Sequence, residues 1–181
     1  MITRRTFLKT SGLATAGLAL GGLNELRSMP ASGTSQVIGA NRKVNLACVG
    51  IGNRGNEIMK DFAKTGLANI VALCDVDMGA PHTQEMMSKY PNAKQFRDFR
   101  EMFDKMANEI EAVSIAIPDF AHFPVSMLAM SLGKHVYVEK PMARTFYESE
   151  LMIEAAKKRK NLATQVGNQG HSEANYFQFK A

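Results

Sequence analysis

Short apolar runs separated by amphipathic stretches organise the chain beyond its first forty residues. The runs are Val44 to Val49, Ile70 to Cys74, Ala112 to Ile117, His135 to Val138 and Leu162 to Val166, with a weaker one near Gln95. They are β-branched or apolar throughout rather than alternating, the pattern of strands buried on both faces of a parallel sheet. The stretches between them predict helices with recognisable ends. Gly66 and Gly133 stand where a left-handed residue stops a helix. Thr145 and Glu148 have the spacing of a capping box and open a helix running toward Lys160. The basic run Lys157 to Lys160 falls on that helix's last turn, where it favours the negative end of the dipole. Strand and helix alternating in this way predict an α/β fold, a doubly wound parallel sheet with helices on both faces. Ligands of such sheets bind beyond the carboxyl ends of the strands, so chemistry is sought just after each apolar run.

The first forty residues follow a different pattern. Arg4 and Arg5 precede an apolar stretch, Ser11 to Leu23, that holds Gly12, Gly17, Gly21 and Gly22. That stretch is weakly hydrophobic and shorter than the roughly 20 apolar residues of a membrane span, which marks a signal peptide rather than an anchor. Thr3-Arg4-Arg5-Thr6-Phe7-Leu8-Lys9 resembles the twin-arginine signal of bacteria. We therefore expect a twin-arginine signal and linker over residues 1–40, and export to the periplasm or beyond. No clean cleavage site stands out before Ala40, and no cysteine closes the apolar run to support a lipid anchor. What remains has the length of about one ordinary domain.

Charge reads differently once the leader is set aside. The chain carries a formal +5, but the leader holds four basic residues and one acid, leaving 18 basic against 16 acidic residues for the rest. The folded part thus has no bias toward nucleic acid. Its two cysteines, Cys48 and Cys74, fall in strand interiors. An exported protein can hold a structural disulfide, but buried reduced thiols are the favoured reading. The 12 methionines are read mainly as core filler. No group of residues has the spacing of a metal site.

The clearest chemistry follows the first run. Gly50-Ile51-Gly52-Asn53-Arg54-Gly55 lies between a strand and a helix, as a dinucleotide loop requires. Gly50 permits a tight turn, Gly52 lets the backbone approach a pyrophosphate, and Gly55 lets helix and strand pack closely. Free amides at the helix start face the phosphates. Asp75 ends the second run 20 residues after Gly55, at the distance where a carboxylate accepts from the adenosine ribose hydroxyls. A carboxylate there repels a 2′-phosphate, so NAD is favoured over NADP. Arg54 is the one residue of the loop able to pair with that phosphate.

Three further stretches end strands: IPDFAH (Ile117 to His122), KHVYVEKPMA (Lys134 to Ala143) and TQVGNQGH (Thr164 to His171). With the glycine loop they resemble the N-terminal half of the Gfo/Idh/MocA oxidoreductases, over essentially all of Lys43 to Ala181. The resemblance implies a Rossmann domain over residues 41–168. It also implies a second α/β domain, begun at residues 169–181 and truncated within a helix. It implies that Ile117, Asp119 and His122 lie along the cofactor near its nicotinamide, with Asp119 where the family commonly has Asn. Glu139 would bond the nicotinamide ribose, Lys140 would reach both ribose and substrate hydroxyl, and Pro141 would hold the turn.

Plainer readings stand beside these. Glu139 and Lys140 alone would pass for a solvated charge pair. His122 and His171 could each simply begin a helix, His171 otherwise facing the substrate cleft. His82 and His135 are read as ordinary surface or strand-edge residues. The whole protein is expected to oxidise a secondary alcohol of a sugar or glycoside, with NAD held tightly, as a homo-oligomer without a stable membrane anchor. The alternatives are a redox-neutral glycosidase of the same family and a non-catalytic Rossmann-type binding protein, which would not need Lys140.

Overall fold

The computed structural model describes residues 42–171. The expected signal and linker, residues 1–40, and the last ten residues of the expected second domain lie outside the described residues. Six strands form one parallel sheet: β1 Val44–Val49, β2 Ala68–Cys74, β3 Lys94–Phe96, β4 Ala112–Ile115, β5 His135–Glu139 and β6 Thr164–Gly167. Five helices connect them: α1 Asn53–Lys64, α2 Pro81–Lys89, α3 Phe99–Met106, α4 His122–Ser131 and α5 Phe146–Lys158. The strand order is β3-β2-β1-β4-β5-β6, so the chain reverses direction across the sheet between β1 and β4. That reversal opens the crevice in which ligands of doubly wound sheets lie.

Successive residues of a strand face opposite sides, and β1 shows what each side needs. Leu46 and Cys48 pack with Met59 of α1 and Met86 of α2. Ala47 and Val49 join Met102 and Phe103 of α3, Val125 of α4 and Met152 of α5. Cys74 lies in that second core although its register partner Val49 neighbours Cys48. The two buried thiols therefore face opposite sides of the sheet and are free, which settles the disulfide alternative. Burial pushes each of them up to about 12, with help at Cys74 from the carboxylates of Asp75, Asp98 and Glu101.

The helix ends follow their local chemistry. Gly66 and Gly133 adopt φ of 70° and 73°, the left-handed region open to glycine. Thr145 Oγ1 accepts from the Glu148 N–H at 3.2 Å, and Glu148 Oε2 in return accepts from the Thr145 N–H at 3.0 Å. Five strand ends differ from the sequence expectation: β2 begins two residues earlier, β5 and β6 each run one residue further, and β4 and β6 each lose two apolar residues. β4 stops at Ile115, which pairs with Val49, the last residue of β1; the Ala116 N–H makes the final rung with the Val49 carbonyl at 2.8 Å, and Ile117 beyond it lines the cleft. β6 starts at Thr164, because Leu162 is spent in a turn with its N–H on the Arg159 carbonyl at 2.9 Å.

Candidate functional site

The glycine loop is built to bring backbone close to a ligand. Gly50 has φ of 81°, and its N–H bonds the Cys74 carbonyl at 2.8 Å. A Cβ there would fall 2.2 Å from the Ala116 carbonyl oxygen. A Cβ on Gly55 would fall 2.0 Å from the Gly50 oxygen, so α1 packs against the strand end only with glycine at that position. Asn53 takes φ of 42°, a left-handed conformation that asparagine tolerates better than most side chains. No side chain caps α1, and its first turn carries no acid. Its first amides are therefore open to an anion.

Asp75 leaves the end of β2 facing this loop. Its Oδ2 accepts from the Ile51 N–H at 3.0 Å and its Oδ1 from the Asp77 N–H at 3.0 Å. Each oxygen keeps a further lone pair for a hydroxyl. The loop, Asp75 and the chain after β4 enclose a cleft of about 460 Å³, walled also by His82, Arg97, Ile117 and Phe120. Sequence reasoning missed three of these walls. Arg97 and Phe120 follow the ends of β3 and β4, where the rule of searching just after each strand would have found them. His82 opens α2 at the same edge of the sheet.

A second cluster gathers at the end of β5. Glu139 is buried, and its Oε1 accepts from Arg54 Nε at 3.1 Å. Its Oε2 accepts from the Lys140 N–H at 3.2 Å, and the Tyr137 hydroxyl reaches Oε1 at 3.5 Å. A side chain on Gly167 would strike the Tyr137 hydroxyl at 2.5 Å and Glu139 Oε1 at 2.8 Å, so the end of β6 must be glycine for this cluster to exist. Arg54 Nη1 also holds Glu57 at 2.7 Å. Arg54 is raised above its ordinary value, by the hydrogen bond to Glu57 first and then by Glu139. β2 and β5 are three strand spacings apart, about 14 Å. Asp75 and Glu139 thus bracket the crevice from either side, and Arg54 turns its donors toward the Glu139 end.

The remaining expected residues separate by environment. Lys140 is exposed at the sheet edge, and its ammonium has no partner among the described residues. His122 is buried, with Nδ1 2.6 Å from the Pro141 carbonyl and Nε2 2.8 Å from the Ile117 carbonyl. Its ring lies between the chain after β4 and the Lys140–Pro141 turn, where the peptide bond is cis. Asp119 is exposed in a single helical turn, Asp119–Ala121, and Phe120 rather than Asp119 lines the cleft. His171 is exposed in the turn Gln169–His171 beyond β6. His135 is at the start of β5, where its Nδ1 accepts from the Ala163 N–H at 2.9 Å. Among the described residues no group of His, Cys, Asp or Glu could hold a metal, and no helix is long and apolar enough to cross a membrane.

A doubly wound sheet with this strand order, three glycines whose missing side chains form a cradle, an open helix start and a carboxylate ending β2 together define a dinucleotide-binding Rossmann domain. The chain belongs to the Gfo/Idh/MocA family, an oxidoreductase family with an NAD-binding Rossmann fold, whose sequence profile matches residues 44–168. A twin-arginine translocation signal matches residues 1–21, so the protein is exported by that route to the periplasm or beyond. The chain is 30% identical over 174 residues to an alpha-N-acetylgalactosaminidase of Shewanella oneidensis, covering 87% of this chain and 37% of that one. It is 31% identical over 134 residues to an inositol 2-dehydrogenase of Salmonella typhimurium, covering 73% of this chain and 39% of that one. A solved structure of scyllo-inositol dehydrogenase from Lactobacillus casei, with bound NAD(H) and scyllo-inositol, superposes with a TM-score of 0.65 at 25% identity. That match covers 77% of this chain and 40% of that one. The chain spans about two fifths of the length of these relatives.

Proposed function

We propose that the whole protein is an NAD-dependent oxidoreductase acting on a secondary alcohol of a sugar or glycoside. The observation that carries this reading is the contrast between Glu139 and Lys140. Glu139 is buried and held by three groups, whereas the neighbouring ammonium is exposed and unpaired at the carboxyl edge of the sheet. When bound, NAD supplies the hydride acceptor. Glu139 and the backbone around it hold residue 140 in place. The Lys140 ammonium donates to the reacting hydroxyl and stabilises the charge that develops on oxygen as its proton passes to a general base on the second α/β domain that the family resemblance implies. His122 keeps the Pro141 carbonyl, and with it the turn that carries Lys140, fixed to the end of β4.

Export favours a second reading alongside the first. Outside the cell there is no pool of nicotinamide to exchange with, so a cofactor loaded before export is best returned to its starting state in every cycle. A redox-neutral glycosidase meets that demand. The alcohol would lose hydride to NAD and become a ketone, which acidifies the neighbouring C–H. Loss of that proton would expel the aglycone as it takes up a proton, water would add across the double bond, and return of the same hydride would restore the alcohol. The identity to an alpha-N-acetylgalactosaminidase supports it.

In the whole protein, Lys140→Ala should keep most of its NAD affinity and lose turnover. One charge-assisted contact made chiefly in the transition state contributes about 3 kcal/mol, roughly a hundredfold in rate. Single-turnover reduction of bound NAD by sugars and glycosides, with cofactor content measured in parallel, tests this. Unchanged hydride transfer in the variant would remove Lys140 from the chemistry. No transfer by wild type across a broad panel would leave a non-catalytic binding protein.

A further inference from the structure

We infer that His82 is a ligand of the dinucleotide's diphosphate, closing over the glycine loop from the opposite side of the cleft. Gly52 is the position whose missing side chain lets a diphosphate approach the backbone. The direction its Cβ would take therefore marks the path of that group. In the structure this path leads to the His82 imidazole, whose Cδ2 and Nε2 lie 2.3 and 2.6 Å from where the Cβ would be. The ring is carried there by a pinned turn. Asp75 Oδ1 accepts from the Asp77 N–H at 3.0 Å, and the buried Thr83 hydroxyl is 2.7 Å from the Asp77 carbonyl and 2.8 Å from that of Ala80. The same turn thus presents the ribose-binding carboxylate and delivers the imidazole to the mouth of the loop. The imidazole itself is exposed, so it yields by rotating about its own side-chain bonds. From there a ring N–H donates to a diphosphate oxygen while the amides of α1 bind from the other side. The glycine loop alone leaves the diphosphate open to solvent on one side. A donor on the facing helix slows its escape, as a protein exported with its cofactor requires.

The inference rests on the dinucleotide assignment of the cleft and not on any reaction, so binding is the readout. In the whole protein stripped of cofactor, dissociation constants and release rates are measured for NAD, ADP-ribose and adenosine. The proteins compared are wild type, His82→Ala, and His82→Leu, which keeps bulk but has no donor. Both variants should lose about tenfold in affinity for NAD and for ADP-ribose, mainly through faster release, with adenosine binding unchanged. Unchanged or tighter NAD binding would show that the ring merely occludes the loop, and an equal loss for adenosine would show that it only supports the turn; either overturns the inference. Failure of the wild type to bind NAD or ADP-ribose would instead sink the assignment of the cleft itself.

Discussion

Arg54, in the first turn of the first helix, reaches across 85 residues of sequence to place its Nε 3.1 Å from the buried carboxylate of Glu139. The pair joins the phosphate-binding loop to the strand end that carries Lys140. It also gives Arg54 an occupation other than a 2′-phosphate, since its second carboxylate partner is Glu57. Arg54→Ala should lower stability by about 1–2 kcal/mol, because Glu139 keeps its charge in a buried place with one partner fewer. That is below the roughly 3–5 kcal/mol of a fully buried pair, as Arg54 is itself partly exposed. Urea unfolding of the variant measures the loss. The ratio of NAD to NADP affinity should stay as in wild type, and selective weakening of NADP would return Arg54 to the phosphate site.

Asp75 should set cofactor choice. Asp75→Ala should cost NAD about ten- to a hundredfold in affinity, from lost charge-assisted bonds to ribose hydroxyls, while NADP loses less because repulsion of its phosphate goes too. The variant also leaves the Ile51 and Asp77 amides without their carboxylate acceptor, so its stability should fall as well. Calorimetric titration with both cofactors separates the two effects. Equal losses for NAD and NADP would mean that Asp75 only braces the loop.

The buried thiols predict a decline of stability in alkali. Cys48 and Cys74 are raised from 9.0 to about 12 in the folded chain. Below pH 9 both states keep these protons, and the thiols' contribution is complete. Between pH 9 and 12 the unfolded chain ionises first and binds fewer protons than the folded one, so stability falls as pH rises. The slope reaches about 1.4 kcal/mol per pH unit for each thiol. Unfolding free energies measured from pH 8 to 11 should drop less steeply in Cys48→Ala/Cys74→Ala than in wild type. Parallel pH profiles for the two proteins would contradict the burial argument.

Much of this molecule is determined by local sequence, and its physical cause is local too. Apolar runs without alternation, four to six residues long and separated by capped helical stretches, fit strands covered on both faces, which suffices for a doubly wound sheet. Gly55 answers a demand made within its own loop, where its side chain would strike the Gly50 oxygen, and Asp75 is placed by the length of one helix and one strand. The capping box at Thr145 needs only its own turn. The strand ends were less legible: Ile117 and Leu162 are apolar, yet β1 ends at Val49 and leaves Ile117 no partner on that strand, and a turn closed at Arg159 takes Leu162 out of the ladder.

Tertiary structure alone decided which side chains meet. Cys48 and Cys74 lie on neighbouring strands, and only the pairing of Val49 with Cys74 sends their sulfurs to opposite faces. His122 comes to lie between two carbonyls of separate segments, with a ring nitrogen close to each. Arg54 meets Glu139 because the crossover places β5 beside β4, and the absence of a side chain at Gly167 leaves room for that meeting. His82 looks like any surface histidine until the turn after Asp75 swings it over Gly52. The physical reason is common to all four. Backbone conformation is dictated by near neighbours, whereas a side chain's partner depends on strand register and helix packing, which bring together residues that the sequence holds far apart.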